Sequence, residues 1–428
     1  MSLARPRHFL FLQGPHGPFF DRLARMLRRA ETRCTRIGFN AGDAAFWRDR
    51  DSYIPFDAPA TEWPDFVAAR LDDLAITDLV IYGDTRPIHA QAIIAATARG
   101  ITVHVFEEGY LRPYWVTYER GGANGHSRLM ELSVARMRSA LSAADHAMPE
   151  PPAHWGDMRQ HVAYGALYHW FVLFRNGRYR HFQPHRPRPL LRETLDYTAR
   201  LFLMPAHAVQ RALATAQIRR GGYPYHLALL QLDHDANFRS HSPFPDNAAF
   251  IRTVIDGFAR GAPGHHHLVF KAHPLEPGRA VLRRAIARAA QDAGIAKRVH
   301  FVRGGKLAQV LDHARTAVTV NSTAAQQVLW RGIPLRIFGD AVYDKPEFVS
   351  RAPLADFFAQ PSRPDLKAYH IYRHYLLESS QVTGGFYSRR GRRQLLRQIV
   401  DMMLAPHDPY EALDAGTALP RHHLRLLP

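Results

Sequence analysis

Three short polar motifs in the second half of the chain carry residue types that bind phosphate or act on sugars. They are Asp233-His-Asp235, Lys271-Ala-His-Pro274 and Asn321-Ser-Thr323, and they follow the apolar runs Leu227–Leu232, His267–Lys271 and Thr316–Val320. Such runs, bounded by turn residues, are typical of buried parallel strands, although periodicity alone does not exclude a helix. Ligands of doubly wound sheets bind beyond the carboxyl ends of the strands. The sequence therefore predicts one site at one sheet edge.

Two of these motifs have the chemistry of a phosphate site. Lys271 and His273 are separated by one residue, so in an extended chain both side chains face the same cavity. Asn321, Ser322 and Thr323 are predicted to open a helix, whose N-terminus adds backbone N–H groups and the positive end of a dipole. Ordinary interpretations stay open, because a lone histidine is often structural and these three residue types are common N-caps.

The first motif has a second interpretation as a metal site. Asp233 and Asp235 form a DxD pattern, which also holds the divalent cation and diphosphate in sugar-nucleotide enzymes. A lysine, a histidine and two hydroxyls, however, neutralise a monophosphate without a metal. His234 stands between the two carboxylates, but no other convincing metal-ligand spacing accompanies it. We therefore expect a site without a metal ion.

Two adjacent carboxylates, Glu107 and Glu108, follow the predicted strand Ile101–Phe106 in the first half of the chain. Like charges this close repel each other, so one of the two is expected to hold its proton near neutral pH. A carboxyl group with a pKa in that range is suited to general acid or base catalysis. A solvated acidic turn is the alternative.

Two turns in the first half of the chain contain glycines that could approach a ligand closely. We expect Gln13, Gly14 and Gly17, after the predicted strand His8–Leu12, to line a ligand cleft together with Gly109. The pattern is not GxGxxG, so a tight strand-to-helix turn explains the first two glycines equally well.

The spacing of the predicted strands defines the elements that must position these residues. Strands alternate with helix-length segments throughout, which indicates βαβ units and a parallel sheet. The predicted fold class is α/β, with a first Rossmann-like domain at 1–200 and a second at 215–365. Residues 366–428 are predicted to be helices that pack back on the first domain.

Composition limits the classes of function. The 428 residues carry 56 Lys plus Arg against 38 Asp plus Glu, a net charge of +18, which implies an anionic partner. The single cysteine, Cys34, excludes an internal disulfide framework and a cysteine-rich metal site. No apolar run approaches the length of a membrane span, and the apolar core of the N-terminus is too short for a signal peptide. We expect a soluble or peripheral protein.

The segment 158–192 combines basic and aromatic residues. It contains seven arginines and seven aromatic residues but no acidic residue. Such interleaving suits stacked nucleic-acid bases or an anionic membrane interface. An interdomain helix with a basic solvent face is the alternative. Nucleic acid is disfavoured because no nucleic-acid-binding motif accompanies the charge.

Several longer stretches resemble one family. They are FLQGPHGPFFDRLARML near the start, GFNAGDAAFW, EEGYLRPYWVTYE, LLQLDHDANFRSHSPF, FKAHPLEPG, TVNSTAAQQVLWRGIPLRIFGDAVYD and QVTGGFY. In this order they resemble the capsular polysaccharide biosynthesis and export proteins of the KpsS/LipB type, viewed as β-Kdo glycosyltransferases. The resemblance extends over nearly the whole chain and does not specify the acceptor.

The resemblance implies a GT-B-like fold, in which two Rossmann-like domains face each other across a cleft and a C-terminal helical segment returns to the first. It implies CMP-β-Kdo as the donor, retention of the β-configuration and no metal or other cofactor. The expected reaction places the first Kdo on (lyso)phosphatidylglycerol at the cytoplasmic face of the inner membrane, with other capsule assembly proteins as further partners. The basic aromatic segment would then bind that membrane surface.

The resemblance also implies residue roles. Asp235 would be the nucleophile of a double displacement, one of Glu107 and Glu108 the base that deprotonates the acceptor, and His273 a catalytic phosphate ligand. Gly384 of QVTGGFY departs from the asparagine that the family leads us to expect. The residues implied in donor binding are Asp233, Arg239, His241, Lys271, His273, Pro274, Asn321, Ser322, Thr323 and Gln326, with Arg239 and His241 as candidates for the Kdo carboxylate.

Overall fold

The computed structural model describes residues 6–112, 114–142, 158–182, 209–210, 212–232, 236–273, 276, 279–303 and 307–418. The chain divides into two compact units, each with its own β-sheet. The first unit comprises Met1–Arg128, Ser139–Ala199 and His374–Pro428, and the second comprises Leu129–Arg138 and Arg200–Arg373. The predicted α/β fold with two Rossmann-like parts is confirmed. Among the helices in the described ranges, none is long and apolar enough to span a bilayer.

The sheet of the first unit has seven strands in the order β12-β6-β5-β4-β1-β2-β3. Their bounds are β1 His8–Phe11, β2 Arg33–Gly38, β3 Tyr53–Pro55, β4 Asp78–Tyr82, β5 Thr102–Glu108, β6 Trp115–Arg120 and β12 Gln381–Thr383. The sheet is parallel from β5 to β3, but β6 pairs antiparallel with both β5 and β12. A wholly parallel sheet was therefore the wrong prediction. Only six residues join β5 to β6, too few for a parallel crossover.

Helices cover both faces of this sheet, which explains why its strands are apolar on both faces. Phe9 and Phe11 pack into one cluster and Leu10 and Leu12 into another, as expected from the alternation of side chains along a strand. The helices are Phe19–Arg29, Ala41–Ala45, Trp63–Asp73, Pro87–Thr97, Met158–Phe174, Arg389–Leu404 and Pro409–Asp414. Two further helices, Val134–Ser142 and Leu366–Glu378, contribute residues to both units.

A buried ion-pair network joins strands at the edge of this sheet opposite the carboxyl ends. Asp78, at the start of β4, accepts hydrogen bonds from Arg7 Nε at 3.0 Å and from His104 Nε2 at 2.8 Å, and Nδ1 of that histidine contacts the Tyr118 hydroxyl. Burial alone would raise the pKa of Asp78, but the hydrogen bonds from His104 and Arg7 outweigh it and hold that pKa well below its usual range. The network is a structural feature that the sequence patterns did not indicate.

The second unit has a five-stranded, parallel sheet in the order β11-β10-β7-β8-β9. Its strands are β7 Tyr225–Leu229, β8 His267–Lys271, β9 Val299–Val302, β10 Ala314–Thr319 and β11 Leu335–Ile337. Its helices are Ala236–Ser240, Asn247–Gly261, Arg279–Asp292, Leu307–Leu311, Ala325–Trp330 and Leu354–Ala359, with a further helical stretch at 212–220. The helix Asn247–Gly261 is capped by Asp246, whose side chain accepts from Ala249 N–H. Single 3₁₀ turns lie at Ala60–Glu62, Asn124–His126, Arg128–Met130, Asn176–Arg178 and Ala296–Arg298.

Candidate functional site

The second sheet places the three strands that precede the polar motifs side by side. Strand β7 lies between β10 and β8 and is parallel to both, so the carboxyl ends of the three strands reach the same edge. In this register Leu229 pairs with Lys271 on one side and with Thr319 on the other. The predicted adjacency of the strands is confirmed. Asp233, Asp235 and Pro274 lie outside the described residues, so their part in the site stays a prediction.

Amide side chains tie the ends of two of these strands together. Gln231 Nε2 donates to Asn321 Oδ1 at 2.8 Å, and Asn321 N–H donates back to Gln231 Oε1 at 3.0 Å. Asn321 Nδ2 donates to the carbonyl of His241 at 3.0 Å, and Asn247 Nδ2 donates to the carbonyl of Gln231 at 2.8 Å. Asn321, predicted to bind the donor, therefore holds the loops of this edge in place.

The candidate phosphate ligands differ in exposure. Lys271 is buried at the end of β8, whereas His273, Ser322 and Thr323 are half-buried. The Ser322 hydroxyl accepts from Ala324 N–H at 3.2 Å. The predicted helix does not open at 321–323, since it begins at Ala325 and runs for only six residues. A turn separates the hydroxyls from the helix, so the dipole is not directly behind them, and Lys271 and His273 become the main candidates for contact with a phosphate.

Three further predicted donor ligands have distinct positions. Gln326 is buried and bound within the unit, because its Nε2 donates to the Tyr372 hydroxyl at 3.1 Å and its Oε1 accepts from the Tyr369 hydroxyl at 2.9 Å. These contacts argue against a ligand role for Gln326. Arg239 is exposed on the short helix after the first motif, and His241 is buried beside it. Of these two candidates, the arginine is the one open to solvent and to a substrate carboxylate.

The carboxylate pair of the first unit lies within a strand and not in a turn. Glu107 and Glu108 are the last residues of β5, pair with Thr117 and Val116 of β6, and are both half-buried. Strand pairing and partial burial contradict the solvated acidic turn. Their side chains point to opposite faces of the sheet, as adjacent strand residues do.

Different partners hold the two carboxylates. Glu107 Oε1 accepts the backbone N–H of Glu108 at 2.9 Å, while Glu108 Oε1 accepts the Tyr82 hydroxyl at 3.1 Å. Loss of hydration raises the pKa of Glu107 to about 7; the N–H bond opposes this rise and the neighbouring charge of Glu108 adds to it. The prediction that one carboxyl group titrates near neutral pH therefore concerns Glu107, with burial as the main cause and repulsion as a smaller one.

Tyr82 and Tyr387 form an aromatic and polar wall beside Glu108. The Tyr82 hydroxyl donates to Glu108, and the imidazole of His161 stacks on the ring of Tyr387 with centroids 3.8 Å apart. Burial lowers the pKa of His161, which favours the neutral imidazole. Tyr387, the last residue of the motif QVTGGFY, therefore lies in the surroundings of the carboxylate pair.

A second polar cluster follows β1 and β2 at the same edge of the sheet. Gln13 Oε1 accepts from Arg86 Nη1 at 2.8 Å, and its Nε2 donates to the Tyr168 hydroxyl at 3.0 Å. Asp43 is buried and paired with Arg36 Nη2 at 2.9 Å. Burial raises the pKa of Asp43, although the Arg36 charge opposes the rise. Gln13 therefore lies among polar groups at the strand ends, and its place in a ligand cleft stays a prediction.

The three glycines expected to line a cleft are needed for close packing. A β-carbon at Gly14 would lie 2.5 Å from the Phe20 ring, and one at Gly109 would collide with the carbonyl of Trp115. Gly17 has φ +112°, a conformation that favours glycine. The tight-turn interpretation accounts for Gly14 and Gly17, and no ligand is needed to explain them.

The C-terminal motif QVTGGFY positions the turn after the carboxylates. Gln381 Oε1 accepts the backbone N–H of Tyr110 at 2.8 Å, and its Nε2 donates to the Thr117 hydroxyl at 3.0 Å. Gly384 has φ +138°, and a β-carbon there would lie 2.6 Å from the carbonyl of Gly391. Glycine in place of the expected asparagine is therefore required by this backbone.

Sequence reasoning missed several residues around the carboxylates. Tyr82 is the last residue of β4 and Arg86 follows Gly83-Asp84-Thr85, so their position at a strand end was the signal that would have found them. Tyr387 and Asp43 fall inside stretches quoted for the family resemblance, but no spacing links them to Glu107. Among the described residues, no group of three or more His, Cys, Asp or Glu has a metal-binding arrangement.

The chain belongs to the family of capsule polysaccharide biosynthesis proteins, whose family model matches residues 77–387. It is 30% identical over 387 residues to the capsule polysaccharide export protein KpsS of Escherichia coli, covering 89% of this chain and 97% of that protein. It is also 30% identical over 392 residues to the capsule polysaccharide modification protein LipB of Neisseria meningitidis serogroup B, covering 90% and 93%. The resemblance to the KpsS/LipB type is confirmed.

Solved structures give weaker similarities. KpsC of Thermosulfurimonas dismutans, a beta Kdo 2,7 transferase, has a TM-score of 0.42 and 11% identity, over 93% of this chain and 100% of that one. Anabaena HepE in complex with UDP and glucose has a TM-score of 0.34 and 12% identity, over 93% and 99%. The family assignment rests on the sequence relatives alone.

Proposed function

We propose that this protein is a retaining β-Kdo transferase that uses CMP-β-Kdo and adds the first Kdo to (lyso)phosphatidylglycerol in capsule synthesis. The observation that carries the proposal is the common sheet edge reached by β7, β8 and β10, because the cationic motif follows β8 and the hydroxyl-bearing motif follows β10, the two parallel strands that flank β7. Ligand sites of open α/β sheets occur at such edges. Membership of a capsule biosynthesis family supports a sugar substrate.

The proposed reaction has two displacements, as retention requires. The Asp235 carboxylate attacks C2 of Kdo, the bond from C2 to the CMP oxygen breaks, and CMP leaves with the electron pair. Lys271 and His273 stabilise the departing phosphate charge, with Ser322 and Thr323 as hydrogen-bond donors. The acceptor hydroxyl then attacks C2 and releases Asp235.

Glu107 is the base that we propose for the second displacement. Its pKa of about 7 leaves a large part of the carboxyl group ionised at neutral pH, yet basic enough to accept a proton. Glu108, whose carboxylate accepts from the Tyr82 hydroxyl, is proposed to orient the surrounding wall. Arg239 is the proposed ligand of the Kdo carboxylate because it is exposed and because a guanidinium group forms bidentate hydrogen bonds with a carboxylate.

The test is incubation with CMP-Kdo, generated in situ, and a fluorescent lysophosphatidylglycerol, followed by mass spectrometry for added Kdo. NMR of the product gives the anomeric configuration, and an EDTA arm tests our expectation that no metal is required. Intact-protein mass spectrometry of the wild type and Asp235→Ala tests for a trapped Kdo adduct. An α-linked product or a reaction abolished by EDTA contradicts the proposed mechanism, and the absence of any transfer favours a non-enzymatic role in capsule export.

A further inference from the structure

The helix Met158–Phe174 is apolar on two opposite faces. One face packs on the first unit, where Tyr168 and Val172 are buried and the Tyr168 hydroxyl accepts from Asn40 Nδ2 at 2.7 Å. The opposite face is exposed and consists of Ala163, Ala166, Leu167, Trp170 and Phe174, here named the apolar stripe. A helix that is apolar all round is normally covered all round, by protein or by lipid. We therefore expect the apolar stripe to be covered by another protein surface or by lipid.

The exposure of the apolar stripe is large for side chains of this size. Leu167 is 44% exposed, Trp170 46% and Phe174 64%. Their spacing of three and four residues places them in one line along the helix. The rings of Trp170 and Phe174 lie 5.5 Å apart between centroids, so they form one continuous apolar surface. Continuous exposed patches of this kind mark interaction sites, whereas single exposed apolar residues do not.

Positive charge adjoins the apolar stripe and identifies its partner. Arg175, Arg178 and Arg180 are exposed directly after the helix, and residues 158–182 include no acidic residue. Arg178 has one exposed ion pair, with Asp57 at 3.8 Å, which solvent weakens. Aromatic and aliphatic side chains beside arginines match the boundary between acyl chains and anionic headgroups. A second copy of this chain would bring these arginines together, which disfavours self-association through the same face.

We propose that the apolar stripe inserts into the surface of an anionic bilayer, with the three arginines on its headgroups. The inference deepens the proposed function, on which it rests for the biological role of a lipid acceptor. The inserted helix carries Tyr168 on its other face, and this tyrosine binds Gln13 and Asn40 in the loops after β1 and β2. Insertion would therefore hold the strand-end loops of the first unit next to the membrane that contains the acceptor.

The test is flotation of the full chain with vesicles of phosphatidylethanolamine and phosphatidylglycerol, compared with vesicles of phosphatidylcholine. We expect binding to the anionic vesicles, and at least a tenfold loss in Trp170→Glu/Phe174→Glu. The matched control is Ile94→Glu, because Ile94 is 70% exposed on another helix of the first unit and lies outside the apolar stripe. Neutralising the three arginines to glutamine should cost about fivefold for each charge and remove the sensitivity to salt.

A second measurement distinguishes a loss of membrane insertion from misfolding of the variant. Trp170→Phe keeps an aromatic ring at the same position, so it should still float, but quenching of tryptophan fluorescence by brominated lipids should fall. Wild-type protein that ignores anionic vesicles, or a double glutamate variant that floats normally, overturns the proposal. So does a stripe variant that changes only the oligomeric state in sedimentation. Flotation needs neither donor nor acceptor turnover, so its result is independent of whether Kdo transfer is observed.

Discussion

Replacement of Glu107 by glutamine tests the assignment of the base, because the surroundings of this carboxyl group predict both a rate loss and a change in pH dependence. Burial raises its pKa to about 7, so about one tenth of the group is ionised at pH 6 and about nine tenths at pH 8. A base acts in its ionised form. The wild-type kcat/KM should therefore rise roughly tenfold between these pH values and level off above them.

Glu107→Gln removes the proton acceptor but keeps a side chain that can accept the Glu108 N–H. Loss of a general base costs on the order of 10² to 10⁴ in rate, and the rise with pH should disappear. Glu108→Gln is the matched control, since it lies one residue away and has a different partner, Tyr82. The control should keep the rise with pH. The assay is Kdo transfer to a fluorescent lysophosphatidylglycerol at saturating CMP-Kdo from pH 5.5 to 8.5.

Two results would refute this reasoning. A Glu107→Gln enzyme that loses less than tenfold, or that still shows the rise with pH, does not lack its base. A Glu108→Gln enzyme that shows the larger loss together with a flat profile would transfer the role to Glu108. Because titration of the donor or product also affects rates, both variants should be compared with wild type in the same buffers and at constant ionic strength.

The remaining predictions concern stability, measured from urea unfolding midpoints at several pH values. Gly384→Asn should destabilise by about 2 kcal/mol or more, since φ is positive and backbone lies against the site, while Gly385→Asn, which has open space, should cost much less. Asp78→Asn breaks a buried pair and should cost about 3 to 5 kcal/mol at pH 7. Asp72→Asn breaks a solvent-exposed bidentate pair with Arg99 and should shift the midpoint far less. The native pKa of Asp78 is depressed, so its contribution is complete above about pH 4 and should shrink as the pH falls below that value. Gln381→Met should cost about 1 to 3 kcal/mol, because it removes the acceptor of the buried Leu111 N–H and leaves the Tyr110 N–H only the Thr117 hydroxyl at 3.3 Å. Equal midpoints within either matched pair, or an unchanged midpoint for Gln381→Met, would contradict these assignments.

The observed strands of the second unit agree closely with those predicted from the sequence, because they are buried on both faces and joined by regular helices. The predicted strand His267–Lys271 has the observed bounds. The exception is the helix predicted to open at Asn321. Local composition favours a cap at that position, but Asn321 is hydrogen-bonded to Gln231, 90 residues away, and the chain turns once more before the helix begins. A long-range contact of this kind leaves no periodic signal.

The first unit was harder to predict because its least regular parts are stabilised by distant residues. Strand β6 was missed since its alternation is weak, and β12 is three residues long and pairs with it from 264 positions further along the chain. The carboxylate pair was found from its composition. Its main pKa determinant was not, since burial of Glu107 depends on the packing of β4, β6 and the surrounding loops and not on its acidic neighbour.

The two sheet edges have opposite chemistry, and this difference supports the division of roles proposed above. The edge of the second unit presents Lys271 and His273 among described residues, which attract a nucleotide phosphate. The edge of the first unit presents the half-buried Glu107 and Glu108, and like charge would repel a phosphate from these carboxylates. A neutral acceptor hydroxyl has no such penalty, and it needs a proton acceptor, which a carboxyl group with a pKa of about 7 supplies. The positions of the carboxylates and of Lys271 therefore favour donor binding at the second edge and acceptor activation at the first.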